Sequence, residues 1–397
     1  MHPLSMRRVI FVVAIVGSIL TMRISPAMGE EPTSEKEKLD VFHDPNFFPL
    51  AVWLQSPANA AKYREAGINL YVGLWEGPTE EQLAELKKQK MRVICEQNAV
   101  ALKHKDDPTI VAWMHGDEPD NAQELPGKKG YGPPIAAEKI IADYERLKQA
   151  DPSRPVMLNL GQGVAWDGWY GRGVRSNHPE DYAEYVKGSD IASFDIYPAC
   201  HENGAVAGKL WMVADGVTRL KKWAGEKRSV WNCIECTRIS NPTTKATPLQ
   251  VKAEVWMSLV RGSRGIIYFV HEFKPKFVEA GLLADKEMLA QVRAVNQQIQ
   301  ELAPVLNSPM LADVAKVQSS AADVPVEIMV KRHHGDTYIA AVGMREGTTT
   351  ATITVAGLTG KAKAEVLGEN RTLEIADGAF KDSFQPWDVH LYRIHSP

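Results

Sequence analysis

The sequence has few cysteines, no long run of basic residues and only one long hydrophobic run. Its four cysteines are too few to build a disulfide scaffold in a chain of 397 residues. The formal net charge of −3 comes from mixed charges, which argues against a nucleic-acid partner or an anionic membrane surface. We therefore expect a neutral or weakly charged substrate. An apolar content of 44% is enough for one large core and a second, smaller domain.

The cysteine spacing does not predict a metal or redox site. Cys233 and Cys236 form a CxxC motif, but they lie in a predicted strand, where their odd spacing sends the two side chains to opposite faces. We expect all four cysteines to be buried free thiols, with one disulfide, Cys200 to Cys236, as the alternative in an oxidising compartment.

The one long hydrophobic run lies at the N-terminus and is typical of a secretion signal. Two arginines at positions 7 and 8 precede an apolar run over residues 9–20, and the small residues Ala27 and Gly29 follow. This pattern predicts a signal peptide over residues 1–29 that is cleaved after Gly29, because the apolar run is short for a membrane anchor. We expect residues 30–44 to form a flexible leader, and the protein to be exported to the periplasm or the extracellular space.

From residue 47 onward, short apolar runs alternate with amphipathic helical stretches. The predicted strands are Phe48–Leu54, Ile68–Leu74, Arg92–Glu96, Ile110–His115, Pro155–Leu160, Ile191–Ile196, Ser229–Glu235 and Gly265–Phe269. The clearest predicted helices are Thr79–Gln89, Ala136–Gln149, Leu210–Ala224, Pro248–Arg261 and about Lys286–Leu306. Eight such units over residues 45–306 predict a closed (β/α)8 TIM barrel. No GxGxxG follows the first strand, which disfavours a doubly wound dinucleotide-binding sheet.

After Asn307 the pattern changes to alternating apolar and polar residues, separated by Gly, Asp and Asn turns. This pattern predicts a small antiparallel β-sandwich over residues 307–397, which would act as an accessory domain.

Carboxylates close two of the most apolar predicted strands. Strand 4 ends in Asp117-Glu118-Pro119, and the proline forces a turn that presents Glu118 at the mouth of the barrel. Strand 7 ends in Glu235. Hydrolysis of a glycosidic bond needs one carboxyl group to protonate the leaving oxygen and another to attack or stabilise the anomeric carbon. The ends of strands 4 and 7 face each other across a barrel and are suitable for that reaction.

The order of a strand-4 acid, a strand-6 tyrosine and a strand-7 acid resembles the clan of retaining (β/α)8 glycoside hydrolases that contains the cellulases, mannanases and β-galactosidases. The resemblance covers residues 45–305 and implies a double displacement in which Glu118 is the acid/base and Glu235 the nucleophile. Tyr197 would orient the nucleophile. Asp117 stands where the clan has asparagine. Because Glu118 must stay protonated beside an anion, we expect its pKa to be raised.

The resemblance also implies a carbohydrate substrate and no cofactor or metal. Exposed indole rings commonly stack on sugars, and the loop over residues 161–173 (GQGVAWDGWYGRG) is the best candidate for a substrate wall. The predicted substrate contacts are Asp117, Asp195, Tyr197, Trp75, Trp166, Trp169 and His271. No motif determines the sugar, the linkage or the oligomeric state.

Two other classes of function remain open at the level of sequence. One is a metal-dependent hydrolase that uses His115, Asp117, His271 and Glu272, although no HxH or HExxH motif supplies a favourable ligand spacing. The other is a barrel that binds carbohydrate without catalysis.

Overall fold

The computed structural model describes residues 41–127 and 129–395. The predicted signal peptide and leader residues 30–40 lie outside these ranges, so export stays a prediction. Residues Val41–His43 form a 3-10 helix, and Val41 is buried. The packed structure therefore begins a few residues before the boundary expected at residue 45. No helix within the described residues is long and apolar enough to cross a membrane.

Nine short parallel strands form the predicted barrel. They are β1 (Leu50–Trp53), β2 (Leu70–Val72), β3 (Arg92–Cys95), β4 (Ile110–Met114), β5 (Val156–Leu160), β6 (Ile191–Phe194), β7 (Ser229–Val230), β8 (Asn232–Glu235) and β9 (Ile266–Phe269). Each strand from β1 to β6 pairs with the next, and β9 pairs with both β8 and β1. Their runs of apolar residues are buried on both faces, as strands of a parallel sheet must be.

The ring closes through the predicted seventh strand, which is interrupted at Trp231. The Trp231 amide donates to the Ala192 carbonyl at 2.9 Å, and the next amide, that of Asn232, donates to the Gly265 carbonyl at 3.4 Å. The segment Ser229–Glu235 thus changes its hydrogen-bonding partner from β6 to β9 at one residue. Nine assigned strands therefore correspond to the eight expected units.

The helices surround the barrel. Their bounds are Ala60–Glu65, Glu80–Lys88, Ala99–Lys103, Ala137–Ala150, Tyr182–Tyr185, Met212–Ala224, Pro248–Val260, Gly281–Ala284, Lys286–Glu301 and Ala303–Asn307. Capping boxes start two of them, because Thr79 and Thr247 each exchange hydrogen bonds with a glutamine three residues later. The last predicted helix is divided near Pro304 into two helices.

Alternate strand residues supply two layers of core. Ala51 and Ile267 point into the barrel, whereas Val52 and Tyr268 pack between strands and helices. The same alternation places Cys233 inside the barrel. All four cysteines are buried free thiols, as predicted.

Residues after 314 form eight antiparallel strands, in agreement with the sequence pattern. They are β10 (Ala315–Ser319), β11 (Val326–His333), β12 (Asp336–Gly343), β13 (Thr349–Val355), β14 (Lys361–Val366), β15 (Arg371–Ala376), β16 (Ala379–Phe384) and β17 (Val389–Ile394). Their hydrogen-bonded order is β10-β13-β16-β15-β14-β17-β12-β11, around a separate apolar core. Met329, Ala340 and Leu391 from this domain pack around Trp256 of the helix Pro248–Val260, which joins the domain to the barrel.

Closure of the barrel predicts a sensitive glycine. A Cβ atom added at Gly265 would lie 2.4 Å from the Trp231 indole, so Gly265→Ala should destabilise the fold by roughly 1 to 3 kcal/mol through overpacking. Denaturant unfolding measures this change. Gly204→Ala is the matched control, because a Cβ there meets no atom within 4 Å. Equal stability of the two variants would contradict the packing at Trp231.

Candidate active site

A cleft of about 830 Å³ opens at the carboxyl ends of the barrel strands. Its charged lining residues are Asp117, Glu118, Asp195 and Glu279. None of the described residues that line it is Lys or Arg. The cleft is therefore negative, at the end of the barrel where active sites of this fold lie.

Glu118 lies on the floor of this cleft, four residues after β4. Its backbone is left-handed, with φ of 43°, immediately before Pro119. Such a conformation is uncommon outside glycine and often marks a functional site. Asn121 Nδ2 donates to Glu118 Oε2 at 2.8 Å, and Trp169 Nε1 donates to Asn121 Oδ1 at 2.8 Å. Two hydrogen bonds thus orient the carboxyl group of Glu118.

Asp195 follows β6 and shares a hydrogen bond with Glu118. Burial and the charge of Asp195 raise the pKa of Glu118 well above its usual range, which confirms the predicted direction. The sequence predicted Glu235 as the anionic neighbour of Glu118, whereas in the structure that neighbour is Asp195. Burial also raises the pKa of Asp195, to about 7, although hydrogen bonds from Glu118 and Tyr197 oppose the shift. Glu118 is consequently the protonated partner of the pair.

The carboxylate oxygens of Asp195 and Asp117 differ in their hydrogen bonds. Asp195 Oδ1 is buried and has no hydrogen-bond partner among the described residues. Asp117 Oδ1 accepts a hydrogen bond from Asn159 Nδ2 at 2.9 Å, and Asn159 Oδ1 accepts one from the Ser193 hydroxyl at 2.7 Å. The carboxylate of Asp117 is thus fixed by a hydrogen bond, whereas one buried oxygen of Asp195 has no hydrogen-bond partner among the described residues.

Aromatic side chains line one side of the cleft. Trp75 is 70% exposed, and Phe273 and Phe277 are also exposed. His271 stacks on both phenylalanines, with ring centroids 6.0 and 6.1 Å away, and contacts Gln55 Nε2 at 3.1 Å. Exposed rings beside polar groups are suitable for binding the apolar faces of sugars.

The structure does not bring Glu235 into the cleft. Its side chain is fully buried, and its oxygens accept hydrogen bonds from the amides of Ala199 at 2.6 Å and Cys200 at 2.8 Å. It is not among the lining residues, although Cys233, two positions earlier, is. The two acids that the sequence pairs, Glu118 and Glu235, therefore do not face the same space.

The other predicted contacts divide into two groups. Asp117, Asp195, Tyr197, Trp75 and His271 line the cleft. Trp166 and Trp169 instead pack with Tyr170 in a separate aromatic cluster, in which His201 lies edge-on to Trp166. The loop over residues 161–173 acts on the cleft through the hydrogen bond from Trp169 to Asn121.

The residues proposed for a metal-dependent hydrolase are dispersed. His115 Nε2 contacts the Gly188 carbonyl at 2.8 Å, and Glu272 pairs with Arg238 at 3.3 Å. Within residues 41–127 and 129–395, no three His, Cys, Asp or Glu side chains come close enough to hold a metal ion together.

Sequence reasoning missed several lining residues, among them Trp53, Gln55, Asn159, Phe273 and Phe277. The two phenylalanines had a visible signal, because they are apolar residues in a loop rich in lysine and proline. Asn159 had none, since it lies within an apolar strand.

The sequence matches no protein-family model and no curated protein. Solved structures do match. AmyP, in complex with maltose, has a TM-score of 0.55 at 10% identity, covering 89% of this chain and 97% of AmyP. The noncanonic maltogenic α-amylase AmyB of Thermotoga neapolitana has a TM-score of 0.54 at 6% identity, covering 89% and 100%. A GH42 β-galactosidase of G. stearothermophilus has a TM-score of 0.55 at 8% identity, covering 88% and 98%.

The fold is that of (β/α)8 glycoside hydrolases. At these identities the likeness shows the fold alone, and it extends over nearly the whole length of each enzyme. The chemistry must be argued from the side chains of this chain.

The raised pKa of Asp195 predicts a pH-dependent stability effect. The folded chain binds the proton of Asp195 more tightly than the unfolded chain does. Ionisation of Asp195 therefore does not destabilise the fold below about pH 4, and it destabilises the fold fully above about pH 7. Asp195→Asn removes that destabilisation. We expect it to raise the free energy of unfolding by roughly 1 to 3 kcal/mol at pH 8 and to have little effect at pH 4.

Urea unfolding at both pH values measures this difference. Asp106→Asn is the control, because Asp106 is exposed. If Asp195→Asn destabilises the protein equally at both pH values, the ionised group is not held in a desolvated site.

Proposed function

We propose that this protein hydrolyses an O-glycosidic bond of a neutral oligo- or polysaccharide in the cleft. The observation that carries the proposal is the pairing of Glu118 with Asp195 on the floor of a cleft lined with aromatic rings, where burial and Asp195 raise the pKa of Glu118. Glycoside hydrolysis requires one carboxylic acid and one carboxylate beside the glycosidic bond that is cleaved.

Glu118 is the general acid in this proposal. Its raised pKa keeps the proton available near neutral pH, and Asn121 holds the carboxyl group by its Oε2 atom. It donates the proton to the leaving glycosyl oxygen and then, in the second half of a retaining reaction, removes a proton from water.

Asp195 is the second carboxylate. Its Oδ1 has no hydrogen-bond partner among the described residues, and a hydrogen bond from Tyr197 favours the ionised form that a nucleophile needs. Carboxyl groups of retaining enzymes are about 5 to 5.5 Å apart, so the sugar must enter between Glu118 and Asp195 and separate them. Asp195 takes the role that the sequence pattern gave to Glu235.

The lining of the cleft supports a neutral sugar. Anionic sugars would be repelled, because all four charged lining residues are acidic. The solved structures of similar fold include AmyP in complex with maltose and a β-galactosidase, and both names refer to neutral sugars.

Variants of the two acids test the proposal. We expect Glu118→Gln and Asp195→Asn each to lower kcat on aryl glycosides or polysaccharides by about 100-fold or more, because each removes one half of the acid and carboxylate pair. Glu76→Gln is the control, since Glu76 is exposed near the mouth and does not line the cleft. NMR of the first-formed product reports whether the anomeric configuration is retained.

Three results would contradict the assignment. Full activity in both variants would remove these residues from the reaction. Loss of wild-type activity on addition of a chelator would favour a metal-dependent hydrolase, and saturable sugar binding without any product would favour a binding protein.

The hydrogen bond from Trp169 predicts a remote effect on Glu118. Trp169→Phe keeps an aromatic ring in the cluster but removes the indole N–H that donates to Asn121. We therefore expect kcat to fall by about tenfold while KM changes little. Tyr170→Phe, in the same aromatic cluster, is the matched control. A change confined to KM would instead make Trp169 a direct sugar contact.

We also propose export, on the N-terminal pattern alone. N-terminal sequencing of the protein from periplasm or culture medium should begin at Glu30, and an intact N-terminus on membrane-bound protein would instead indicate a retained anchor.

A further inference from the structure

Behind the cleft, two glutamates meet between β8 and the helix Pro248–Val260. Glu235 and Glu254 both have fully buried side chains. The oxygens of Glu235 accept the amides of Ala199 and Cys200 at 2.6 and 2.8 Å. The oxygens of Glu254 have no partner among the described residues other than the carboxyl group of Glu235.

Within residues 41–127 and 129–395, no Lys, Arg or His acts on this pair. The titratable groups facing it are the thiols of Cys200 and Cys236, and burial raises the pKa of both. Two ionised carboxylates cannot remain in contact in such a site, because each needs either a cation or full solvation. One proton between them resolves the conflict, since the protonated group then donates to the ionised one.

The hydrogen bonds determine which group carries the proton. Glu235 already accepts two backbone amides, which favour its ionised form, whereas Glu254 has none. In agreement, burial and the charge of Glu235 raise the pKa of Glu254 well above its usual range. Glu254 is thus the donor and Glu235 the acceptor.

We propose that Glu235 and Glu254 share one proton and together anchor the segment Pro198–Cys200, so that Glu235 is a positioning residue for Asp195 and Tyr197. The role of the anchored segment in turnover rests on the proposed function. Asp195 and Tyr197 immediately precede this segment in the chain. A third hydrogen bond, from Asn241 Nδ2 to the Cys200 carbonyl at 2.7 Å, holds the same turn.

This arrangement differs from that of a nucleophile. The oxygens of Glu235 are occupied by two amides and one shared proton, and the residue does not line the cleft. It acts on the reaction only through the backbone that leads to Tyr197, whose ring packs on Phe269 at 5.2 Å in the cleft wall.

Substitutions at the pair separate positioning from catalysis. Glu254→Gln should retain most activity, because its amide can donate to Glu235 in place of the proton. Glu254→Leu and Glu235→Gln should each lower kcat/KM by about tenfold or more, with part of the loss in KM, since the anchor for Ala199 and Cys200 is weakened. Thermal unfolding of every variant checks that it is folded.

Azide and infrared spectroscopy give readouts that a merely structural residue would not move. Azide should not restore turnover to Glu235→Ala, and formation of a glycosyl azide would make Glu235 the nucleophile and overturn the proposal. In Glu118→Gln protein labelled with ¹³C-glutamate, which lacks the proton of Glu118, a protonated-carboxyl band at neutral pH should be present, and it should be lost when Glu254→Gln is added. A band that persists in the double variant would also overturn it.

The infrared experiment does not depend on turnover. If no glycoside is hydrolysed, the proposed function fails while the band still tests the shared proton. If hydrolysis is found but the band persists in the double variant Glu118→Gln/Glu254→Gln, the pair fails and the proposed function stands.

Discussion

Negative charge that is held away from water without a cation is the constraint on which the open end of this barrel depends. It occurs twice, once on the floor of the cleft at Glu118 and Asp195 and once behind it at Glu235 and Glu254. In both places a proton replaces the missing counter-ion. The cost of desolvation is what keeps one carboxyl group of each pair in its acid form near neutral pH.

The sequence predicts the fold well because the fold follows from local patterns. Short apolar runs, separated by amphipathic helices, account for the barrel strands, and two capping boxes define helix starts closely. The interruption at Trp231 was not predictable, since it depends on how Ala192 and Gly265 meet the same segment from opposite sides.

The sequence predicts part of the site. It does not predict which way a side chain at the end of a strand points. Glu118 could be placed because Pro119 restricts the chain to a turn at the strand end. Glu235 has an equally clear position in sequence, but the backbone of Ala199 and Cys200 encloses its carboxylate, and no pattern within a single strand reports that contact. Phe273 and Phe277 could have been found from the composition of their loop, whereas Asn159 could not.

The helix Pro248–Val260 contacts the C-terminal domain on one side and the barrel on the other. Met329, Ala340 and Leu391 of the C-terminal domain pack against Trp256. Glu254 lies on nearly the opposite side of the same helix and faces the barrel. The β-domain thus packs on the outer side of a helix whose inner side supports the end of the barrel that holds the cleft. The C-terminal domain is thus part of the barrel's scaffold, because its removal would expose the outer face of that helix at Trp256.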